Sequence, residues 1–251
     1  MDGTFASKHR DPAKGRFHAT TTQPEIDMTA PEPTIGHISN RLKSGDFGPA
    51  PSAFLIDRDG VINEHRPGRY VNDWPDFSFL PGTFDAFQAL STTRNPVIVV
   101  TNQSGVGRGA MSALALEDIH ERMINAVTNA GGRIDAVIHC PHPPALGCTC
   151  RKPAPGMFLH LAKRFGVSLA QSVFIGDTIT DLQAGASAGC RTLLVRTGEG
   201  SRTLGSLSGL SAFDPGIAAF QAATLKDLPG FAGVAGSLRD AVNHLIIPDG
   251  A

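Results

Sequence analysis

The sequence predicts an α/β domain, a three-layer sandwich in which helices cover both faces of a central parallel sheet. Two observations point to it. From Ser52 onward, short apolar runs alternate with longer segments whose apolar residues recur every three or four positions. The short runs are continuously apolar rather than alternating with polar residues, as expected of strands buried on both faces. Such an architecture is Rossmann-like, and its ligand site lies beyond the carboxyl ends of the strands. Reactive residues are therefore expected directly after strands.

Strands are expected at 53–56, 97–100, 136–138, 173–175 and 192–195, each ending in polar residues. One helix is expected where Leu116, Ile119, Met123 and Val127 recur before Gly131 and Gly132. Another is expected where Phe158, Leu161, Ala162 and Phe165 recur before Gly166. The stretch 200–216 is rich in Gly and Ser and reads as loop, with short helices near 217–228 and 238–245. Residues 1–48 mix charged residues, Thr and Pro without periodicity and read as a disordered N-terminal extension, with Met28 as an alternative start. The expected organisation is that extension, a domain over 49–230 and a C-terminal tail over 231–251.

Composition narrows the function. The chain has 251 residues, a net charge of -1 and 41% hydrophobic residues, enough for one well-packed domain. Near-neutral charge offers no field for a nucleic-acid backbone or an anionic membrane. No apolar run is long enough for a membrane span. A small soluble ligand, a cytoplasmic location and a monomer are the expectations.

The first run ends in FLIDRDGVIN, which places Asp57 and Asp59 two residues apart at a turn that Gly60 permits. Paired carboxylates suit phosphate-ester chemistry: one attacks phosphorus, while the other protonates the leaving oxygen and later activates water. The second run ends in VIVVTNQSGVGRG. The Thr101 hydroxyl and the backbone N–H groups of Asn102, Gln103 and Ser104 can bind phosphoryl oxygens, with Gly105, Gly107 and Gly109 allowing close approach. In CRKPAPGM, Lys152 can neutralise the nucleophile and the transferring group. FIGDTITDL adds Asp177 and Asp181, hard oxygen donors suited to Mg²⁺, although helix capping would also suit them. A carboxylate approaching a phosphate dianion needs a cation, and Asp57, Asp59 and Asp177 are its expected ligands.

Three of the four cysteines crowd into CPHPPALGCTC. Cys140, His142, Cys148 and Cys150 would fill a tetrahedral shell without an open position, so a structural Zn²⁺ is expected. Cys190 reads as a core residue. Zinc would brace the loop that carries Arg151 and Lys152.

The ordered series DRDG, TNQSG, RKP and GDTITD resembles the four motifs of the haloacid dehalogenase superfamily over about 52–198. The resemblance implies Asp57 as nucleophile and Asp59 as general acid/base, with Thr101 and Lys152 stabilising the phosphoryl group. It implies Mg²⁺ on Asp57, the backbone carbonyl of Asp59 and Asp177, supported by Asp181. The segments between these motifs are too short for a large cap, so an open site is expected. A zinc knuckle just before RKP is similar to the branch shared by heptose bisphosphate phosphatases and histidinol-phosphatases. TNQSGVGRG, CRKPAPGM and VRTG lean to the heptose side, which implies a phosphorylated sugar as the partner molecule and removal of its 7-phosphate. Arg108 and Arg151 would then hold the second phosphate. HRPGRYV is longer than the family's usual substrate loop, so the resemblance does not secure a role for Arg69 or Tyr70. The rival readings are a histidinol-phosphatase, another sugar phosphate phosphatase and a nucleic-acid end-processing phosphatase. A zinc-stabilised binding module without activity would have been signalled by loss of Asp57 or Asp59.

Overall fold

The computed structural model describes residues 31–45, 47, 52–207 and 229–246. In chain order, β1 (Thr34–Ile38), α1 (Asn40–Ser44) and β2 (Phe54–Ile56) come first, followed by α2 (Thr83–Ser91) and β3 (Val97–Asn102). Then come α3 (Ser104–Gly107), α4 (Ala113–Asn129), β4 (Ala136–Cys140) and α5 (Gly156–Phe165). The chain continues through β5 (Val173–Gly176), α6 (Ile179–Ser187), β6 (Arg191–Val195), α7 (Gly200–Leu207), β7 (Phe231–Ala235) and α8 (Leu238–Ile246).

Among the described residues the sheet has seven strands in the order β1-β4-β3-β2-β5-β6-β7. Six run parallel; β1 is antiparallel to β4 at one edge. The two faces can be read from the strand periodicity. Ile56, Val99, Val137, Ile175 and Leu193 point to one face, against Phe87 and Leu90 of α2, Ile119 and Met123 of α4, and Ala241 of α8. Leu55, Ile98, Val100, Ile138 and Phe174 point to the other, against Met157, Phe158 and Leu161 of α5 and Leu42 of α1. Each of the large side chains here contributes about 1.5–3 kcal/mol of burial free energy. Both faces are covered, so the three-layer expectation holds.

The ends of the elements follow local rules. Ser112 starts α4 by accepting from the Ala115 N–H, and Gly166 ends α5 in a left-handed conformation. At α6, Thr178 and Asp181 cap each other's backbone N–H groups.

The structure differs from expectation at the edges. β1 and α1 lie inside the expected N-terminal extension, and β7 and α8 inside the expected tail, so 49–230 is too narrow a domain. The strand TIGHI is short and contains a glycine at a register shift between Ile35 and His37, which hides it from a pattern search. The start of the expected loop 200–216 is helical, as α7, despite its Gly and Ser content. The helix expected near 238–245 is α8, whereas that near 217–228, and residues 1–30 of the extension, lie outside the described residues. β3 runs past the expected end at 100 to include Thr101 and Asn102, which still pair with His139 and Cys140 of β4.

Candidate active site

β2 sits between β3 and β5 at the point where the strand order reverses, so the carboxyl ends of these strands open one crevice. A cleft of about 270 Å³ lies there, lined by Asp57, Asp59, Thr101, Asn102, Gln103, Ser104, Arg151, Lys152 and Asp177 among others. Thus nine side chains expected from four separate stretches meet in one place.

Asp57 follows β2 directly and is buried. The Lys152 ammonium lies 2.7 Å from Asp57 Oδ1 and 2.7 Å from Asp181 Oδ1, and donates to the Val100 carbonyl at 3.1 Å. Burial works against the charge on Lys152, but Asp181 and Asp57 outweigh it and hold the ammonium protonated. Burial pushes the Asp57 carboxyl up to about 7, assisted by Asp181 and opposed by Lys152.

Asp59 is in a different setting. Burial alone would raise its pKa, yet the Arg58 guanidinium and hydrogen bonds from Arg58, Asn63 and Gln103 hold the carboxyl below its usual range. Arg58 Nη2 donates at 2.8 and 2.9 Å, and Asn63 Nδ2 at 3.0 Å. Gln103 Nε2 lies 2.8 Å from Asp59 and 2.9 Å from Thr101 Oγ1, tying the first two motifs together. Asn102 exchanges two hydrogen bonds with the Lys152 backbone, at 3.2 and 3.1 Å, so it fixes the lysine loop.

Asp177 completes the cluster. Its Oδ2 accepts from the Glu199 N–H at 2.8 Å, while its buried Oδ1 has no hydrogen-bond partner among the described residues. Burial, with Asp181 and Asp57 nearby, raises its pKa to about 8. Gly60 and Gly198, both at positive φ (87° and 58°), press on this carboxylate. A Cβ at either would lie 2.1 Å from Asp177 Oδ2.

Carboxylate oxygens of Asp57, Asp177 and Asp181 lie within 4.8 Å of one another. Three buried acids face one lysine, and one oxygen is unpartnered. That excess of negative charge and hard oxygen donors fits a divalent cation such as Mg²⁺. Asp181, engaged by Lys152 and by the N-terminus of α6 (Thr178 Oγ1 donates at 2.6 Å), supports rather than completes it.

Beside the cleft, Cys140, His142, Cys148 and Cys150 present four ligand atoms within 4.8 Å. Their separations are 3.2–3.6 Å. A tetrahedral zinc with Zn–S bonds of about 2.3 Å spaces its sulfurs about 3.8 Å apart, so the cluster fits zinc. The cysteines are free. The loop docks on the second motif, where Gly107 N donates to the Pro141 carbonyl at 3.0 Å and Gln103 N to that of Cys140 at 2.8 Å. Cys190 is buried in the core, as expected, and burial lifts its thiol to about 12.

Arg108 is exposed at the end of α3 and is not among the residues lining the cleft, whereas Arg151 is. Residues not expected there also line it: His65, Arg66, Arg69 and Tyr70 of HRPGRYV, and Thr178 and Thr180. Two arginines, a histidine and a tyrosine on one loop after a DxD turn were the available signal. Arg66 is ion-paired to Asp76, and His65 lies 3.4 Å from Glu199.

Comparison with known proteins agrees with this geometry. The family profile described as HAD-hyrolase-like matches residues 149–215. The D-glycero-beta-D-manno-heptose-1,7-bisphosphate 7-phosphatase of Bordetella bronchiseptica is 43% identical over 150 residues, 60% of this chain and 83% of that protein. The D-glycero-alpha-D-manno-heptose-1,7-bisphosphate 7-phosphatase of Mycobacterium bovis is 38% identical over 147 residues, 56% of this chain and 77% of its own length. The crystal structure of the B. bronchiseptica D,D-heptose 1,7-bisphosphate phosphatase, complexed with magnesium and phosphate, superimposes with a TM-score of 0.66 at 36% identity. That match covers 78% of this chain and 98% of the other.

Proposed function

Because this chain belongs to the haloacid dehalogenase-like phosphatases, in the family of the heptose 1,7-bisphosphate 7-phosphatases, we propose that it hydrolyses the 7-phosphate of D-glycero-D-manno-heptose 1,7-bisphosphate. The observation that carries the mechanism is the meeting of Asp57, Asp177 and Lys152 in one crevice. In this reading Asp57 attacks phosphorus and forms an aspartyl-phosphate, and the sugar oxygen leaves with a proton from Asp59, which must first take it up from solvent against the Arg58 charge that holds the carboxyl ionised. Asp59 then takes a proton from water, whose oxygen attacks the phosphorus and frees Asp57. Lys152 neutralises Asp57, and Thr101, with the N–H groups that follow it, receives the phosphoryl oxygens. Held by Asp57, Asp177 and the Asp59 carbonyl, Mg²⁺ would supply charge neutralisation between the carboxylate and the phosphate.

The second phosphate falls to Arg151, whose Nη1 is buried without a hydrogen-bond partner among the described residues. Arg69, exposed on the cleft wall, is placed to assist. Zinc on the cysteine–histidine cluster braces both the Thr101 loop and the Lys152 loop. Thiolate ligands need reducing surroundings, which supports a cytoplasmic location. Among the described residues no helix is long and apolar enough to cross a membrane. A monomer is proposed because the cleft is complete within one chain.

Phosphate release with Mg²⁺ should be measured on both heptose bisphosphate anomers, fructose 1,6-bisphosphate and histidinol phosphate. Preference for a heptose bisphosphate is expected, and preference for histidinol phosphate would overturn the substrate assignment. Asp57→Asn should abolish turnover in a folded protein; retained activity removes Asp57 as nucleophile. Arg151→Ala should weaken bisphosphates more than monophosphates, and equal losses would exclude its role at the second phosphate.

A further inference from the structure

Arg58 is among the largest fully buried side chains of the described residues, with 1% exposure, and it stands between two acids that the chemistry uses. Its donors are divided. Nε and Nη2 face Asp59, at 3.3 Å and at 2.8 and 2.9 Å. Nη1 points the other way, 3.2 Å from Nε2 of His120.

His120 belongs to α4 and is 3% exposed, packed beside the ring of His139 with 5.5 Å between centroids. A guanidinium donates and never accepts, so His120 Nε2 must be the lone-pair nitrogen of a neutral imidazole, with its proton on Nδ1. Burial, reinforced by Arg58 and His139, keeps the ring neutral by lowering its pKa well below the ordinary value. His120 does not line the catalytic cleft, and its polar contact toward that cleft is with Arg58, a residue that does line it.

Asp59 holds one edge of the Arg58 guanidinium, through Nε and Nη2. An acceptor on the far side adds a second anchor and limits how the group can swing about that edge. We infer that His120 is a positioning residue for Asp59: by accepting from Arg58 Nη1, it orients the guanidinium edge that holds the Asp59 carboxylate. This rests on the assignment of Asp59 as proton donor and acceptor. A proton-transfer group displaced by about 1 Å can lose about 10²-fold in rate, whereas substrate contacts elsewhere persist. The signature is a loss in kcat with KM unchanged.

Four variants test it: His120→Leu, His120→Gln, Arg58→Met and the double variant His120→Leu/Arg58→Met. Turnover is measured on heptose 1,7-bisphosphate and on p-nitrophenyl phosphate, with thermal melting as the check on folding. His120→Leu is expected to lower kcat by about tenfold or more, with KM within about twofold. In His120→Gln, the amide oxygen replaces the Nε2 acceptor and should restore most of kcat. In the Arg58→Met background, adding His120→Leu should cost less than about twofold, since the pathway is already cut. Where His120→Leu does not fold, His120→Asn takes its place: its polar side chain stops short of Arg58, and the same loss is expected. Unchanged kcat in the Leu variant, no recovery with Gln, or losses that multiply in the double variant would each overturn the inference. A wild type active on the aryl ester alone would defeat the heptose assignment, and the variant ratios on that ester would still decide the role of His120.

Discussion

At the scale of single residues, Asp177 is tightly confined. Gly60 and Gly198 close on it from two loops, and only hydrogen fits where their side chains would be. Gly60→Ala should displace the carboxylate and strain a backbone held at φ 87°. The expected result is about a hundredfold loss of Mg²⁺-dependent turnover with a lower melting temperature, and near-normal kinetics would show that the crowding is relieved at no cost. The same confinement sets a pH dependence. Asp57 and Asp177 titrate near 7 and 8, raised first by burial. In the unfolded chain they would titrate at about 3.9. The metal-free fold therefore retains protons that the unfolded chain has released. That stabilisation is complete below about pH 4 and is lost as pH rises through 7 to 8. Mg²⁺ must displace those protons, so its increment in melting temperature should be larger at pH 8.5 than at pH 5.5. Equal increments would contradict the assignment of these acids as ligands. Much of this site was legible in the sequence, because Asp57 and Asp177 directly follow apolar strands and Lys152 stands just ahead of a helix. The Arg58–His120 contact was not: it joins residues 62 positions apart, and nothing local in DRDG or in α4 announces it.

At the scale of elements, the end of β4 and the loop from it to α5 carry both the cysteine cluster and Lys152. The four candidate ligands converge, and the backbone of this segment is bound to the Thr101 loop through Gly107 and Gln103. Cys148→Ser, or removal of zinc by a chelator, should lower the melting temperature and kcat together, with metal content read by elemental analysis. Lowered stability at full activity would confine the cluster to bracing the fold. Sequence spacing revealed this element because cysteines are rare and the cluster is tight. By contrast, α7 was concealed by GSRTLGSL, whose Gly and Ser contradict the helix that docking of Leu204 against Leu194 and Val234 selects.

At the scale of the whole molecule, the reversal of strand order around β2 places the crevice, and the alternating pattern from Ser52 made that architecture readable. The two edges were not readable, since TIGHI and FAGVA are short, contain glycine and acquire their strand character from β4 and β6. Deleting residues 1–38 should strip β4 of its outer partner and leave an exposed parallel strand. Lower melting temperature and rising light scattering are expected, with kcat retained by the folded fraction. Unchanged melting would make β1 an ornament of the edge.

The pairing of β1 with β4 also bears on how the polypeptide is made. Thr34 emerges from the ribosome early but pairs with His139, one residue before the thiolate of Cys140. Every turn of the parallel sheet up to β4 must be synthesised before this hairpin-free edge can close. In vectorial synthesis the seal on the edge and the arrival of the first sulfur of the cysteine–histidine cluster therefore coincide, and a nascent chain stalled before that point carries a strand without its partner.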